Sequence, residues 1–395
     1  ATAAVWASGC GDESSVMPPT EPPTQPPTGL PLPGGSALPV APTVHPDGLV
    51  LDARPGAVSW SEGQSSPAWL YNEGLPGPTL RVRRGERVRT TLTNGLGEDT
   101  IVHWHGLDVP QEADGHPRLA VPSGAQYDYD YVVANRAGTY WYHPHPHMRT
   151  GPQVHLGMAG FYLVGDGEEE ALGLPSGERD VPLVIQDKRL DASGNMVYQP
   201  TPMDAMVGYL GDTPFVNGAP DPYLLVDRTL DRFRILNGSN ARIFDLALST
   251  QAALTLVGTD GGLLNVPATL TSIFLGPAER VDVLVDFSGH VPGDLIRLQS
   301  RPFSLGGPPS MQGQPMDLMR FSVTDREVQP ASAPSSLVAL PPTPDLEGAP
   351  RQTFEFRSHM MRHSINGVTF DMERVDAQIP LGEPQVWTFS NTGAV

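Results

Sequence analysis

Cysteine, long apolar runs and positive charge are all scarce in this sequence of 395 residues. The single cysteine, Cys10, excludes an internal disulfide framework and any metal site built from several thiolates. No stretch reaches the roughly 18 to 20 apolar residues that a membrane-spanning helix needs, so no such helix is expected. With 25 basic against 44 acidic residues, the formal charge of −19 argues against nucleic acid and an anionic membrane surface as partners.

Glycine and proline are abundant instead. Together, 42 Gly and 43 Pro make up more than a fifth of the chain. This is high for a helical protein and usual for short strands joined by many turns, so we expect an all-β fold. At roughly 150 residues per domain, the length suggests two or three domains.

The N-terminal region has the composition of a tether. Cys10 follows Ala7-Ser8-Gly9 and precedes a short polar stretch, a pattern that resembles the processing site of a bacterial lipoprotein. The alternative is an incidental surface thiol. Residues 16–44 carry proline every few positions and predict an extended, semi-rigid linker rather than part of a core. On the lipoprotein interpretation, the protein is anchored to a membrane through Cys10 and lies outside the cytoplasm.

Short β-branched and aromatic segments follow in three sets, separated by Gly, Pro and Asn-Gly. The first set predicts a β-sandwich, and its strands are Thr79–Arg83, Arg87–Leu92, Thr100–His105 and Gly138–His143. The second set contains Val181–Asp187, Arg232–Asn237 and Arg280–Asp286. Alternation in its last strand predicts a half-buried strand with the valines and Leu284 on one face and the aspartates on the other.

A Pro-rich stretch at residues 330–350 precedes the third set. This set includes Thr353–Phe356, the Asn366-Gly367 turn and Gln385–Asn391. So few residues cannot close a sandwich of the size of the first two, and we therefore expect a third domain that is cut short.

Two groups of histidines carry the strongest chemical signal. They are His103-Trp104-His105 and His143-Pro144-His145-Pro146-His147, each at the end of a predicted strand. Residues two apart on a strand point to the same face, so both imidazoles of a pair approach one site. Neutral imidazoles suit copper, zinc, iron or nickel, and without partner cysteines a zinc-finger site is not expected. A lone His-x-His is often incidental, whereas two such pairs in one sandwich predict metal binding.

The spacing of these groups gives the sequence its family resemblance. His-Trp-His-Gly from His103, followed by a Gly-Thr-Tyr-Trp-Tyr-His-Pro-His run whose first histidine lies 40 residues later, resembles the first two copper motifs of multicopper oxidases. The run at 141–160 is most similar to bacterial periplasmic cuprous oxidases and laccase-like enzymes. The resemblance extends over most of the chain from about residue 45. It implies tandem cupredoxin-like Greek-key β-sandwiches, two complete and a third partial.

The implied domain limits follow the three sets of strands. Residues 1–44 form the lipoprotein-like N-terminus and linker, 45–170 the first cupredoxin-like domain and 171–329 the second. Residues 330–395 are the linker and the truncated start of the third.

The resemblance also implies roles for individual residues. His103 would bind the single type 2 copper, and His105, His143 and His145 the paired type 3 coppers, of a trinuclear cluster. Asp114 falls where the family has an acid that assists proton delivery to dioxygen, although it is equally well explained as a turn residue before a glycine.

The remaining histidines near these motifs are expected to have supporting roles. His147 is interpreted as a neighbour that orients a ligand ring. His116 and His155 are expected to be structural or exposed, and His359 and His363 have no ligand-like partner in the sequence.

Two family motifs are not in this sequence. They are a third motif of the His-Pro-x-His-x-His kind and a fourth with His-Cys-His, which supplies the type 1 copper cysteine. The family usually continues into the third motif at the position of Val395, so truncation explains the difference better than loss. The type 1 copper site is therefore missing from this chain.

The resemblance implies an oxidase with copper as cofactor. It would couple one-electron oxidation of a phenol or a metal ion such as Cu(I) to four-electron reduction of dioxygen to water. Met311, Met316, Met319, Met360 and Met361 are only loosely grouped, which favours a phenol over Cu(I). We expect a monomer in the bacterial cell envelope. The alternatives are a non-catalytic cupredoxin scaffold, as in family members that act in cell division, and a copper-binding envelope protein without turnover.

Overall fold

The first described unit is a sandwich of two sheets. The computed structural model describes residues 32–61, 63–304, 311–359 and 362–391, and Cys10 lies outside them. The nine strands of this unit are β1 (Thr43–Val44), β2 (Val50–Ser61), β3 (Gln64–Tyr71), β4 (Thr79–Arg83), β5 (Arg87–Asn94), β6 (Val102–His105), β7 (Gln126–Val132), β8 (Gly138–Pro144) and β9 (Gly160–Gly165). One sheet has the order β1-β4-β9-β8-β6 and the other β3-β2-β5-β7.

The core of this sandwich is built around a motif tryptophan. Trp104 is fully buried, and its ring contacts those of Tyr129, Tyr131, Tyr142 and Tyr162. Because side chains alternate along a strand, His103 and His105 on either side of Trp104 point to the opposite face of β6. The core thus fixes the strand whose other face presents the histidines.

Twelve strands form a second, larger sandwich. They are β10 (Asp180–Lys188), β11 (Thr213–Val216), β12 (Ala219–Pro220), β13 (Tyr223–Val226), β14 (Leu230–Asn237), β15 (Phe244–Leu248), β16 (Leu254–Thr259), β17 (Gly262–Leu270), β18 (Ile273–Leu275), β19 (Arg280–Asp286), β20 (Leu295–Ser300) and β21 (Met316–Val323). A seven-stranded sheet of order β12-β11-β10-β14-β19-β16-β17 faces a five-stranded sheet of order β13-β21-β20-β15-β18. Phe233, Phe287 and Phe321 pack in the core between them.

The helices of the described residues are short. They are α1 (Thr150–His155), α2 (Gly167–Ala171) and α3 (Asp204–Val207), with single 3-10 turns at Pro117–Leu119 and Gly177–Arg179. Within the described ranges, no helix has both the length and the apolar character needed to cross a bilayer.

The prediction that β19 is half-buried is wrong. Val281, Val283 and Val285 do face the core of the second sandwich, but Asp282 on the other face is only 2% exposed. Leu284 shares the face of Asp282 and packs in a separate apolar cluster, not with the valines. The reason is that Arg280 and Asp282 on the second face of β19 lie against Thr139 of the first sandwich, so only Asp286 at the end of the strand is exposed.

The contact between the two sandwiches is partly apolar and partly charged. Trp141 and Phe161 of the first pack with Val184 and Leu236 of the second. Beside them lie three arginines and three carboxylates joined by ion pairs of 2.5 to 3.1 Å. This interdomain charge cluster consists of Arg81, Glu169, Asp180, Arg232, Arg234 and Asp282. Its formal charges cancel, which offsets the cost of burying them.

Both Pro-rich segments pack more closely than expected. The end of the predicted linker at 16–44 adds to the second sandwich: the Leu38 amide donates to Tyr223 O over 2.7 Å, and the Leu38 side chain is buried in the core. Likewise, Val338 of the stretch at 330–350 is buried, and its amide donates to Leu264 O. Single apolar residues among the prolines explain why these segments lie on the surface of a core.

A three-stranded sheet forms the third described unit. Its strands are β22 (Arg351–His359), β23 (Arg362–Ile365) and β24 (Val386–Asn391), in the order β23-β22-β24. The ring of Phe389 stacks on Phe354 at 5.7 Å, yet Phe389 is 60% exposed. The connection between β23 and β24 contacts the first sandwich, where Glu373 pairs with Arg118 at 3.6 Å.

Candidate metal centre

The pairing of β6 with β8 brings the two histidine groups together. The antiparallel register places His103 opposite His143 and His105 opposite Trp141. Directly opposed residues on neighbouring strands have adjacent side chains, so His103, His105 and His143 meet on one face. One ring nitrogen from each of these three lies within 4.8 Å of the others. The sequence prediction that both pairs approach one site is consistent with this geometry.

Two of the rings face each other directly. Nδ1 of His105 lies 3.1 Å from Nε2 of His143. The other nitrogen of His143, Nδ1, donates to the carbonyl of Pro144 over 2.9 Å, so Nε2 carries the lone pair and turns it towards His105. Burial, followed by the charge of Arg280, lowers the pKa of His105 to about 3. Burial likewise holds the pKa of His143 well below its usual range. Both rings are therefore neutral near pH 7 and have lone pairs available for a metal.

His145 and His103 complete the group. The ring of His145 lies 5.4 Å from that of His103, and its buried Nδ1 has no hydrogen-bond partner among the described residues. His103 Nδ1 donates to the Asp114 carbonyl over 2.5 Å and lies 3.4 Å from Asp114 Oδ1. The hydrogen bond to His103 lowers the pKa of Asp114. The half-exposed Asp114 carboxylate thus connects the histidines with solvent.

All four histidines line a cleft of about 580 Å³ between the two sandwiches. Its other walls come from α1 and from loops of the second sandwich, including Tyr198, Asn240 and Ala278. Trp141 lies between two ligand candidates, with ring centroids 4.2 Å from His143 and 5.1 Å from His105. An apolar wall of this kind restricts the directions in which the imidazoles can turn.

The donor set fits copper. Closely spaced imidazoles, one of them with an orphaned buried nitrogen, are ligands that suit copper. Without thiolates near them they do not resemble a structural zinc site. In the structure, the three histidines whose ring nitrogens lie closest together are His103, His105 and His143. The family resemblance instead assigns His103 to the type 2 copper and the other two to the type 3 pair.

The other histidines have different surroundings. We expected His147 to lie beside a ligand ring. Instead, the ring of this exposed residue packs against Phe370 of the third unit at 5.6 Å. His116 caps a 3-10 turn by accepting from the Arg118 amide. His155 is buried against Tyr198 and Tyr209, in agreement with a structural role. His363 is exposed, and its ring forms a hydrogen bond with the Ser358 hydroxyl. The side chain of His359 lies outside the described residues.

Three contributors to the site were missed by sequence reasoning. Trp141 precedes His143 by two residues, so strand alternation places it on the same face and could have identified it. Tyr198 and Arg280 belong to the second sandwich. Their sequence neighbourhoods contain no ligand motif, and only the packing of the two sandwiches brings Tyr198 to the cleft and Arg280 to Thr139 of β8.

Comparison with known proteins agrees with this centre. Family models described as multicopper oxidase match residues 52–169 and 216–295. The multicopper oxidase mco of Staphylococcus epidermidis is 30% identical over 341 residues, which cover 86% of this chain and 70% of that protein. The cell division protein FtsP of Dickeya dadantii is 32% identical over 364 residues, or 90% of this chain and 76% of FtsP.

Solved structures give the same picture of the fold. The laccase-like multi-copper oxidase CueO from Ochrobactrum sp. has 34% identity and a TM-score of 0.81, over 90% of this chain and 82% of that one. A laccase from Pediococcus acidilactici has 31% identity and a TM-score of 0.82, over 93% and 78%. The predicted fold class, all-β with cupredoxin-like sandwiches, is confirmed.

Proposed function

Because the chain belongs to the multicopper oxidase family, we propose that it acts in copper-dependent oxidation of a reducing substrate coupled to reduction of dioxygen to water. The observation that carries the proposal is the convergence of four histidines, His103, His105, His143 and His145, on one cleft. Eroded pairs would be expected in a family member that no longer binds copper. Both pairs are intact and their rings are held in a largely buried, ligand-ready arrangement.

We assign the ligand roles by family resemblance. His103 would hold the type 2 copper, and His105, His143 and His145 the type 3 pair. When bound, copper supplies one-electron redox chemistry and passes electrons to dioxygen. Trp141 shields the rings, and Asp114 supplies a carboxylate between His103 and solvent through which protons can reach the cleft.

The reducing substrate that we favour is a phenol. Met319 is buried on β21 and so cannot contribute to an exposed thioether surface with the other loosely grouped methionines. Met360 and Met361 lie outside the described residues. Among the similar structures, the Ochrobactrum enzyme is described with activity towards lignin model compounds. Cu(I) is the alternative substrate.

Copper binding by the 395-residue chain tests the proposal first. We expect retained copper after desalting, measured by elemental mass spectrometry, and at least about tenfold weaker binding by His143→Gln because it removes a buried ligand. His363→Gln, an exposed histidine of the third unit, is the matched control and should bind as wild type does. Equal binding by all three proteins, or none by wild type, would contradict the assignment.

Oxidase activity requires the type 1 site, so the gene should be read beyond the codon for Val395. A His-Cys-His motif there, with a blue product that consumes dioxygen in the presence of a phenol, supports the oxidase. A stop codon at that position would leave copper binding without turnover.

A scaffold role is the second candidate, and the similarity to FtsP favours it. Such a protein would act without copper. Cells in which His143→Gln replaces wild type separate the two functions: a division phenotype that the variant rescues supports the scaffold, and loss of phenol oxidation supports the oxidase.

We place the protein in the bacterial cell envelope, as a monomer tethered through a lipid on Cys10, with domain limits at residues 45–170, 171–329 and 330–395. Labelling of cells with a radioactive fatty acid tests the tether, with Cys10→Ser as the unlabelled control. Label on both proteins, or on neither, would exclude it.

A further inference from the structure

One side chain of the second sandwich contacts β8 and the turn directly after β6, the two strands that carry His103, His105 and His143. Arg280, the first residue of β19, is only 3% exposed. Its Nε donates to the Thr139 carbonyl of β8 over 3.1 Å. Its Nη1 donates to Ala278 O over 2.9 Å and Nη2 donates to Asp260 O over 3.1 Å. The guanidinium is therefore fixed in position by carbonyls on both sides of the interface.

The same group touches the turn that follows His105. A Cβ at Gly106 would lie 2.9 Å from Nη2 of Arg280 and 3.0 Å from the ring of Tyr140. Gly106 has φ +88°, a conformation that other residues rarely adopt. The end of β6 thus packs directly on the guanidinium, with no room for a side chain between them.

The charge of Arg280 is only partly compensated. Among the described residues, the one carboxylate in ion-pair contact with it is Asp260, whose Oδ1 lies 2.8 Å from Nη1 and whose side chain is 48% exposed. Asp282 and Glu279 act on its charge from farther away. The hydrogen-bond acceptors named above are neutral carbonyls. Solvent can screen the Asp260 side of this pair, while the side towards His105 is buried. A net positive field therefore acts on the His105 end of the cleft.

We propose that Arg280 is a positioning residue that fixes the His105 end of β6 from the second sandwich and biases copper held there towards Cu(I). A fixed positive charge repels Cu²⁺ more strongly than Cu⁺, so it weakens Cu(II) binding more than Cu(I) binding. The proposal rests on the copper-dependent function proposed above. It gives the second sandwich, which contributes no ligand in our assignment, a part in tuning the metal.

The test is the ratio of the Cu(II) to the Cu(I) dissociation constant of the 395-residue chain, measured with chromophoric competitor chelators. Arg280→Gln removes the charge, and we expect the ratio to fall by about threefold to tenfold. Arg280→Lys keeps the charge but not the planar set of hydrogen bonds, so the ratio should stay within about twofold of wild type. This split separates the effect of the charge from that of packing.

Arg234→Gln is the matched control. Arg234 is equally buried at the same interface, but its charge is paired with Asp180 at 2.7 Å within the interdomain charge cluster. Its loss should destabilise the fold and change the copper ratio less than Arg280→Gln does, because the contact with Gly106 after His105 is made by Arg280. A folded Arg280→Gln protein with the wild-type ratio, or an equal change in Arg234→Gln, would overturn the proposal.

A second variant decides the matter if Arg280→Gln does not fold. Asp260→Asn removes the half-exposed counter-charge and leaves Arg280 in place. We expect the ratio to rise, the opposite direction from Arg280→Gln, and an unchanged ratio counts against the proposal. If wild type binds no copper at all, the proposed function itself fails, whereas copper binding with an Arg280-independent ratio refutes only the present inference.

Discussion

The first two sandwiches share an architecture but differ in where some of their arginine ion pairs lie. In the first, Arg87 pairs with Asp130 at the surface, with both side chains about half-exposed or more. In the second, Arg232 and Arg234 are almost fully buried and pair with buried carboxylates. The surface pairs face water, while the buried ones face the other sandwich.

This difference follows from what each sandwich must cover. The histidine strand β8 belongs to the first sandwich, and its Thr139 hydroxyl accepts from Nη1 of Arg234 over 3.1 Å. The second sandwich thereby holds β8 from behind with directional, charged groups. Buried ion pairs often stabilise a fold no more than apolar packing does, so we interpret these groups as fixing one arrangement of the two sandwiches. Removing one charged side chain at a time from each sandwich tests how strongly the buried ion pairs contribute.

The largest effect is expected for Arg234→Gln. The substitution leaves Asp180, Asp282 and Glu169 buried with one fewer positive charge. Breaking a buried pair by removal of one partner costs about 3–5 kcal/mol. The free energy of unfolding, measured by urea titration with tryptophan fluorescence, should fall by about that amount. A loss below about 1 kcal/mol would mean that water enters the cluster and that the contrast between the sandwiches is false.

Much of the fold was predictable from the sequence because strand patterns are local. β4 and β19 begin and end at the predicted residues, and β8 extends only one residue beyond its prediction. The convergence of the histidine pairs was also predictable, since the i, i+2 spacing puts each pair on one face. Strand boundaries and the i, i+2 spacing can be read from the sequence of any strand that packs one face against a core.

What could not be predicted depends on contacts between sandwiches. Nothing in the pattern of β19 distinguishes a solvated aspartate from Asp282, which is buried because Arg232 approaches from β14. Leu38 lies in a proline-rich segment, and its burial depends on Tyr223, far along the chain. The role of Arg280 likewise requires knowledge of which strand of the first sandwich it meets.

A pH dependence of intermediate size should also distinguish the two sandwiches. In the second, burial and then the charge of Asp227 raise the pKa of Asp231 to about 7. The native state then holds a proton that the unfolded state releases near pH 4, so this stability is present at low pH and lost as the pH rises towards 7. In the first, the lowered pKa of His105 acts in the opposite direction, and stability is lost as the pH falls below about 6.5.

Asp231→Asn removes the first of these effects. At pH 8 the variant should be more stable than wild type by about 1–3 kcal/mol, because no carboxylate has to ionise in the buried site. At pH 5 the two proteins should differ little. Urea unfolding at both pH values gives the comparison. An equal change in stability at pH 5 and pH 8 would show that Asp231 is ionised throughout and that its buried Oδ1 has found a partner.

The smallest effect is expected for Arg87→Gln, the same chemical change as Arg234→Gln on the surface of the first sandwich. Arg87 forms two hydrogen bonds of 2.7 Å to Asp130. Because both groups stay hydrated when the pair is broken, exposed pairs of this kind contribute little, and salt screens what remains. We expect no measurable change in the urea midpoint at physiological salt. A shift comparable to that of Arg234→Gln would mean that burial, and with it the interface between the sandwiches, does not set the strength of these ion pairs.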